Sequence, residues 1–217
     1  MLPGPIIYYE CPHCQSIFDR LSGGAGVIRI KVYSDGKQNM SGPFKIPALT
    51  KCNNCDNFIW TSELREIGNN DNIELTGPQE ENKQWFESLE TEDYIEAIEK
   101  KVFGNPAEEL FLRTRLWWKF NDRVRKEDES LFKNEPEQQI WKSNLEIILK
   151  LLDLSDLNQK IMAAEIHRCL GNFSMCHVLM ESIESSSLDP LKNQFFQKFN
   201  KIFCFFFSCL IHTLIYF

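Results

Sequence analysis

The sequence predicts an α+β protein in which a small β-rich front segment precedes an all-α remainder, and three observations carry that expectation. Two C-x-x-C pairs, Cys11-Pro-His-Cys14 and Cys52-Asn-Asn-Cys55, stand close to the start of the chain. Val27 to Tyr33 reads Val-Ile-Arg-Ile-Lys-Val-Tyr, the two-residue alternation of a strand. From Thr91 onward apolar residues recur with the period of about 3.6 that marks amphipathic helices.

In chain order, Ile6 to Glu10 is a short β-prone run entering the first cysteine pair, and Ser34-Asp-Gly36 supplies a turn after the alternating strand. Phe58-Ile-Trp60 reads as an exit strand after the second pair, while Ser22-Gly-Gly-Ala-Gly26 and Ser41-Gly-Pro43 read as loops. A three-stranded ribbon over residues 1–68, with a metal at one end, is the economical architecture. So small a sheet buries too little apolar area to stand alone, and metal binding would supply the missing stability.

Residues 69–90 read as a polar linker, and residues 91–200 as a helical domain. Thr91 is placed to cap a helix reaching about Phe103, with Gly104 ending it. Asn105-Pro-Ala-Glu108 opens the next with an N-cap, a first-turn proline and an acid, and Asn134 with Pro136 and Glu137 repeats the device for a helix through Leu152. Ser155 is expected to cap a helix to Leu170, Gly171 to end it, and Phe173 to Ile183 to continue with apolar residues at 173, 176, 179, 180 and 183. Asp189-Pro190 then starts a last helix. About six helices with short connections predict an antiparallel α-helical domain.

Two C-x-x-C pairs separated by 37 residues can place four thiolates at the corners of a tetrahedron. Cys11, Cys14, Cys52 and Cys55 are therefore the expected ligands of one structural Zn²⁺ per chain, with iron as the ion that uses the same four ligands. A site closed by four protein ligands leaves no position for a reacting water, so it builds a fold instead of catalysing. His13, inside the first pair, reads as an exposed spacer. Cys11-Pro-His-Cys14 is also the dithiol sequence of strongly oxidising thioredoxin-fold enzymes, which the chain resembles over those four residues alone. Such dithiols sit at a helix N-terminus within a βαβ frame; no such frame surrounds this one, and a second cysteine pair answers it.

The expected helix from about Pro106 to Lys126 carries a stripe of Arg115, Lys119, Arg123 and Lys126, with Trp118 beside it. Leu110, Leu116, Trp117, Phe120 and Val124 fill the core-facing arc. The stripe with Trp118 is a candidate partner or anion surface; the alternative, favoured because acids outnumber bases in this half, is a solvated face paired with neighbouring carboxylates. His167, Cys169, Cys176 and His177 cluster near a helical turn and read as packing residues.

Composition narrows the function classes. The formal net charge is −7; residues 1–70 carry 7 Lys and Arg against 6 Asp and Glu, and residues 71–217 carry 17 against 25. Four zinc-bound thiolates would bring the front segment to about −1, which disfavours a nucleic-acid clamp. The chain contains no H-E-x-x-H, G-x-x-x-x-G-K-[ST] or G-x-S-x-G, and Gly24-Ala-Gly26 precedes a strand instead of opening a helix, so no enzymatic activity is expected. Met1-Leu-Pro-Gly-Pro lacks the basic and apolar regions of a secretory signal, and Cys169, Cys176, Cys204 and Cys209 resemble packing positions more than a disulfide framework; a cytoplasmic location is the expectation. Residues 201–217 form an aromatic, apolar tail. Its sixteen residues from Ile202 would span about 24 Å as a helix against a hydrocarbon core of about 30 Å. A buried final helix, a C-terminal membrane anchor and a frame-altered end all fit that composition.

The order Cys-Pro-x-Cys, Tyr33-Ser-Asp-Gly36, then Lys51-Cys-x-x-Cys followed by Phe58-Ile-Trp60 resembles a group of bacterial proteins of unassigned function. In these an N-terminal zinc ribbon precedes a tetratricopeptide-like helical region. Arg115-Leu-Trp-Trp118 with Asn121-Asp-Arg123, and Glu165 to Phe173 with its Leu-Gly-x-Phe, are similar to the same group, and the likeness covers about residues 8–184. Ala164 to Ile183 resembles one tetratricopeptide unit, with Cys176 where that repeat usually holds alanine; a plain helical hairpin gives the same pattern. The resemblance implies a metal role for the four cysteines and no activity. The expected function is that of a structural zinc protein whose helical half is a protein-interaction scaffold, with nucleic-acid binding and thiol–disulfide exchange as the alternatives.

Overall fold

Each C-x-x-C pair closes a hairpin of the same build. Strand β1 (Ile6–Glu10) runs into the first pair and β2 (Ile17–Leu21) leaves it antiparallel, with Glu10 opposite Ile17. Strands β5 (Leu49–Lys51) and β6 (Phe58–Trp60) flank the second pair in the same way, with Lys51 opposite Phe58. The computed structural model describes residues 4–22, 29–41, 46–81, 83–125 and 130–183. These fall into two compact units, one within 1–30 and 40–93, the other within 31–39 and 94–217.

In the first unit β1 lies between β2 and β7 (Arg65–Asn69), and β8 (Gln84–Trp85) adds parallel to β2, giving the order β7-β1-β2-β8. Alternation sorts the side chains onto two faces. On one, Tyr8 and Ile17 pack with Leu75, Ile67 and Ile73. On the other, Tyr9 and Phe18 meet Phe86, whose ring stacks on Phe18 at 5.0 Å between centroids. The pairing of β1 with β7 shifts between Tyr8 and Tyr9, and Gly68 takes φ 146° there. A Cβ at Gly68 would run into Ile73 and Asn72, so only glycine fits this bulge.

More strands form than the three expected, and one of the added strands arises in the stretch read as a linker. Polar composition suggested that residues 69–90 are solvated. They instead supply the short helix α1 (Pro78–Glu81), strand β8, and Ile73, Leu75 and Phe86, which pack on the sheet. A few apolar residues spaced irregularly carry no period, so their burial is set by the sheet they meet.

The second unit holds α3 (Pro106–Arg125), α4 (Glu135–Leu151), α5 (Leu157–Cys169) and α6 (Phe173–Glu181), with α3 packed on α4 and α5 on α6. α2 (Thr91–Glu99) leads into it. Leu112, Leu116, Trp117 and Phe120 of α3 are buried, as are Trp141, Leu145 and Ile148 of α4. Ala163 and Ala164 of α5 meet Cys176, Leu179 and Met180 of α6, small residues there admitting close approach.

The helix ends follow the capping chemistry, with local differences. Asn105 accepts from Glu108 N–H at 3.0 Å and Asn134 from Glu137 N–H at 2.9 Å, as their sequences predict. The cap of α5 is Asp156, accepting from Gln159 N–H, one residue past the expected Ser155. α2 begins with Asp93 accepting from Glu90 N–H, and it stops short of Phe103 because left-handed Lys101 turns the chain, with Val102 N–H bonded to Ala97 O. Gly171, at φ 77°, makes the equivalent turn between α5 and α6.

Residues 31–39 belong to this unit. Strands β3 (Arg29–Val32) and β4 (Gln38–Ser41) pair around Tyr33 to Lys37, where Gly36 at φ 78° closes the expected turn. Asp35, 1% exposed, accepts from Asn121 Nδ2 at 2.6 Å and Arg125 Nη2 at 2.5 Å. Trp118 Nε1 donates to Asp35 O, Ser34 Oγ to Glu165, and Lys37 pairs with Asp122. The expected helix at Asp189-Pro190, the tail 201–217, Cys204, Cys209 and Lys126 lie outside the described residues. Among those described, no helix is long and apolar enough to cross a membrane.

Candidate metal centre

The two cysteine turns superimpose in their hydrogen bonding. Cys11 N–H bonds Ser16 O at 2.9 Å and Gln15 N–H bonds Cys11 O at 3.0 Å; Cys52 N–H bonds Asn57 O at 3.0 Å and Asp56 N–H bonds Cys52 O at 2.8 Å. To close so tightly, Gln15 and Asp56 adopt left-handed backbone at φ 64° and 56°. Each turn buries its first cysteine, Cys11 or Cys52, and leaves its second, Cys14 or Cys55, half-buried.

The four sulfurs converge. Cys14 Sγ is 3.6 Å from Cys52 Sγ, Cys11 Sγ is 3.9 Å from Cys55 Sγ, and all four lie within 4.8 Å of one another. Metal–sulfur bonds of about 2.3 Å in a tetrahedron set S···S edges of about 3.8 Å, so the cage has the size such an ion requires. Cys11, Cys14, Cys52 and Cys55 can therefore hold a metal ion, as their spacing predicts.

The four sulfurs differ in how readily they ionise. Burial pushes the Cys11 thiol up to about 12 and raises Cys55 as well. Burial also opposes ionisation of Cys14 and Cys52, but hydrogen bonds overcome it: Asn54 and Ser16 bring Cys14 down to about 6, and Ser16 and Gln84 lower Cys52. A cluster split in this way holds some protons back, and a divalent cation is what would let all four sulfurs carry charge together.

A polar shell surrounds the cage. Ser16 Oγ lies 3.2 Å from both Cys14 Sγ and Cys52 Sγ, Gln84 Nε2 is 3.3 Å from Cys52 Sγ, and Asn57 Nδ2 is 3.4 Å from Cys55 Sγ. Sequence reading missed Ser16, Gln84, Asn54 and Asn57. Three of them sit in or beside the C-x-x-C pairs and could have been suspected on that ground, whereas Gln84 carries no local signal. His13 is exposed, consistent with a spacer.

Of the candidate stripe on α3, Arg115 and Arg123 are engaged within the chain. The Arg115 guanidinium lies over the rings of Phe111 and Trp118, at 4.8 Å from each centroid, and burial lowers its pKa. Lys119 is half-buried. Arg123 is buried and holds Glu137 through two hydrogen bonds of 2.6 and 3.2 Å. Trp118 serves the hairpin at Asp35. For Arg115 and Arg123 a carboxylate and aromatic rings take up the charge that the helical wheel placed at the surface. Near the α5–α6 turn, Cys176 is buried in the apolar cluster and its thiol is pushed up to about 12 by burial, while His177 pairs with Glu181.

Compared with family models, with curated proteins and with solved structures, the chain matches none.

Proposed function

We propose that the chain is a structural zinc protein: Zn²⁺ held by Cys11, Cys14, Cys52 and Cys55 closes the first unit, and the helical unit serves as a scaffold for a protein partner. The observation that carries the metal reading is the convergence of four sulfurs within 4.8 Å of one another, with Cys14–Cys52 and Cys11–Cys55 at 3.6 and 3.9 Å. Zinc is preferred to iron because nothing among the described residues forms a second redox centre, and a closed Cys₄ site needs no electron chemistry to explain it. The scaffold reading rests on the α5–α6 hairpin, whose Ala163, Ala164 and Cys176 contact fits a tetratricopeptide-like unit. Met175 and Val178, exposed on α6, offer apolar surface for a partner.

Metal analysis of the purified full-length protein tests the first half. One zinc per chain, released stoichiometrically by a thiol-modifying reagent, is the expected result; a metal-free protein with four reactive thiols overturns it. Thiol–disulfide exchange through Cys11 and Cys14 is the second reading; the Cys14 thiol is lowered, but burial pushes up Cys11, the cysteine that attacks in such dithiols. Against it stands the local build, since the Cys11 turn leads into strand β2 and not into a helix. Turnover of a test disulfide would restore it.

A further inference from the structure

Gln84 is a buried polar residue, 8% exposed, delivered by the two-residue strand β8 to the edge of the sulfur cage. Its side-chain hydrogen bonds end on the cage and its turns. Oε1 accepts from Asn53 N–H at 2.8 Å, and that contact fixes which end of the carboxamide faces inward. Nε2 then points at Cys52 Sγ at 3.3 Å and at Ser16 Oγ at 3.1 Å. Ser16 in turn touches Cys14 Sγ and Cys52 Sγ. One carboxamide thus reaches a residue of each turn, although 31 residues separate it from Asn53 and 68 from Ser16. The two turns are otherwise alike, and no symmetry between them calls for such a residue. Buried amides are kept where their donors and acceptors are used, and here the use is a thiolate and the hydroxyl beside it.

Resting on the metal reading above, we propose that Gln84 is a positioning residue of the metal centre: its amide donates to the Cys52 thiolate and clamps the two turns together, so that ion affinity depends on residues beyond both cysteine pairs. Outer-shell partners of metal ligands commonly change affinity by about 10–100-fold, through orientation and through the charge left on the ligand. A donor to sulfur withdraws thiolate charge, which a metal–sulfur charge-transfer band reports directly.

The test uses the full chain as wild type, Gln84→Met and Gln84→Glu. Met keeps the bulk and loses both ends of the amide; Glu keeps the acceptor for Asn53 N–H and loses the donor to sulfur. Zn²⁺ affinity is measured by chelator competition, and the Co²⁺ form is read for its thiolate-to-metal charge-transfer band. Both variants are expected to bind one ion with dissociation constants raised about 10–100-fold and with the band displaced from its wild-type position. A Gln84→Glu protein with wild-type affinity and band overturns the inference even if Gln84→Met misfolds. If wild type binds one ion and both variants match it, the role of Gln84 fails while the metal reading stands. If wild type takes up neither Zn²⁺ nor Co²⁺, both fall.

Discussion

Gln15 and Asp56 occupy the same place in two turns of unrelated sequence: each follows the second cysteine of its pair, and each is left-handed, at φ 64° and 56°. Left-handed backbone costs an L-residue roughly 1 kcal/mol, less for Asp, whose short side chain tolerates it, than for Gln. Gln15→Gly is therefore expected to hold or raise stability, by up to about 1 kcal/mol, and Asp56→Gly to gain less. A β-branched residue has no such tolerance, and Gln15→Val should lose about 1–2 kcal/mol. Denaturant midpoints of the metal-loaded proteins check the order Gly, wild type, Val.

On the zinc proposal, removing the ion should unfold the first unit and spare the second. The first encloses its sulfur cage in a small apolar shell of Phe18, Ile59, Tyr9 and Phe86, whereas the second has a helical core of its own. A strong chelator is expected to abolish amide protection in residues 6–21 and 49–69 and to leave α3, α4 and α5 protected. Hydrogen exchange with mass-spectrometric readout distinguishes this from global unfolding. Cys52→Ser should weaken binding by more than the roughly 100-fold that an outer-shell loss costs.

Asp35 anchors the hairpin of residues 31–39 through Asn121 and Arg125. Asp35→Asn removes the charge and leaves Arg125, whose side chain is 10% exposed, facing a neutral amide. Asp122 still pairs with Arg125 at 2.9 Å, so the cost is expected to stay below the roughly 3 kcal/mol of a buried charge left without any counter-charge. Faster exchange of the amides of Tyr33 to Lys37 is expected, together with a change in Trp118 emission, since its indole donates to Asp35 O. Protection equal to wild type would mean that backbone pairing alone holds the hairpin.

How much of this was legible in the sequence follows from how local each cause is. Metal spacing and capping are local, so the four cysteines and the caps at Asn105 and Asn134 stand at their expected places. Ser155 and Asp156 are both competent caps, and only the fold chooses between them. β2 was invisible because Phe18-Asp-Arg20 does not alternate: Ile17, Phe18 and Asp19 are all buried, since both faces of the sheet are covered. β8 is two residues long and exists only because β2 offers an edge. Arg123 of the α3 stripe is buried for a related reason, because a helical wheel knows nothing of Glu137 on another helix.

That ion pair supplies a pH test. Burial opposes the charge on Glu137, but the Arg123 guanidinium and Lys133 N–H outweigh it and hold the carboxyl below the usual glutamate value of 4.5. A carboxylate depressed by folding stabilises the native state above its unfolded pKa, and that contribution is lost as pH falls through the depressed native value. The helical unit should therefore be at full strength near neutrality and weaken in acid, starting below about pH 4.5. Glu137→Gln should lower neutral-pH stability by about 1–3 kcal/mol, because the buried Arg123 loses the carboxylate it holds through two hydrogen bonds. It should also flatten the acid limb, since the titrating group is gone. Denaturant midpoints of α-helical circular dichroism from pH 7 down to pH 3 check both effects, and an acid limb as steep in Glu137→Gln as in wild type would assign it to other carboxylates.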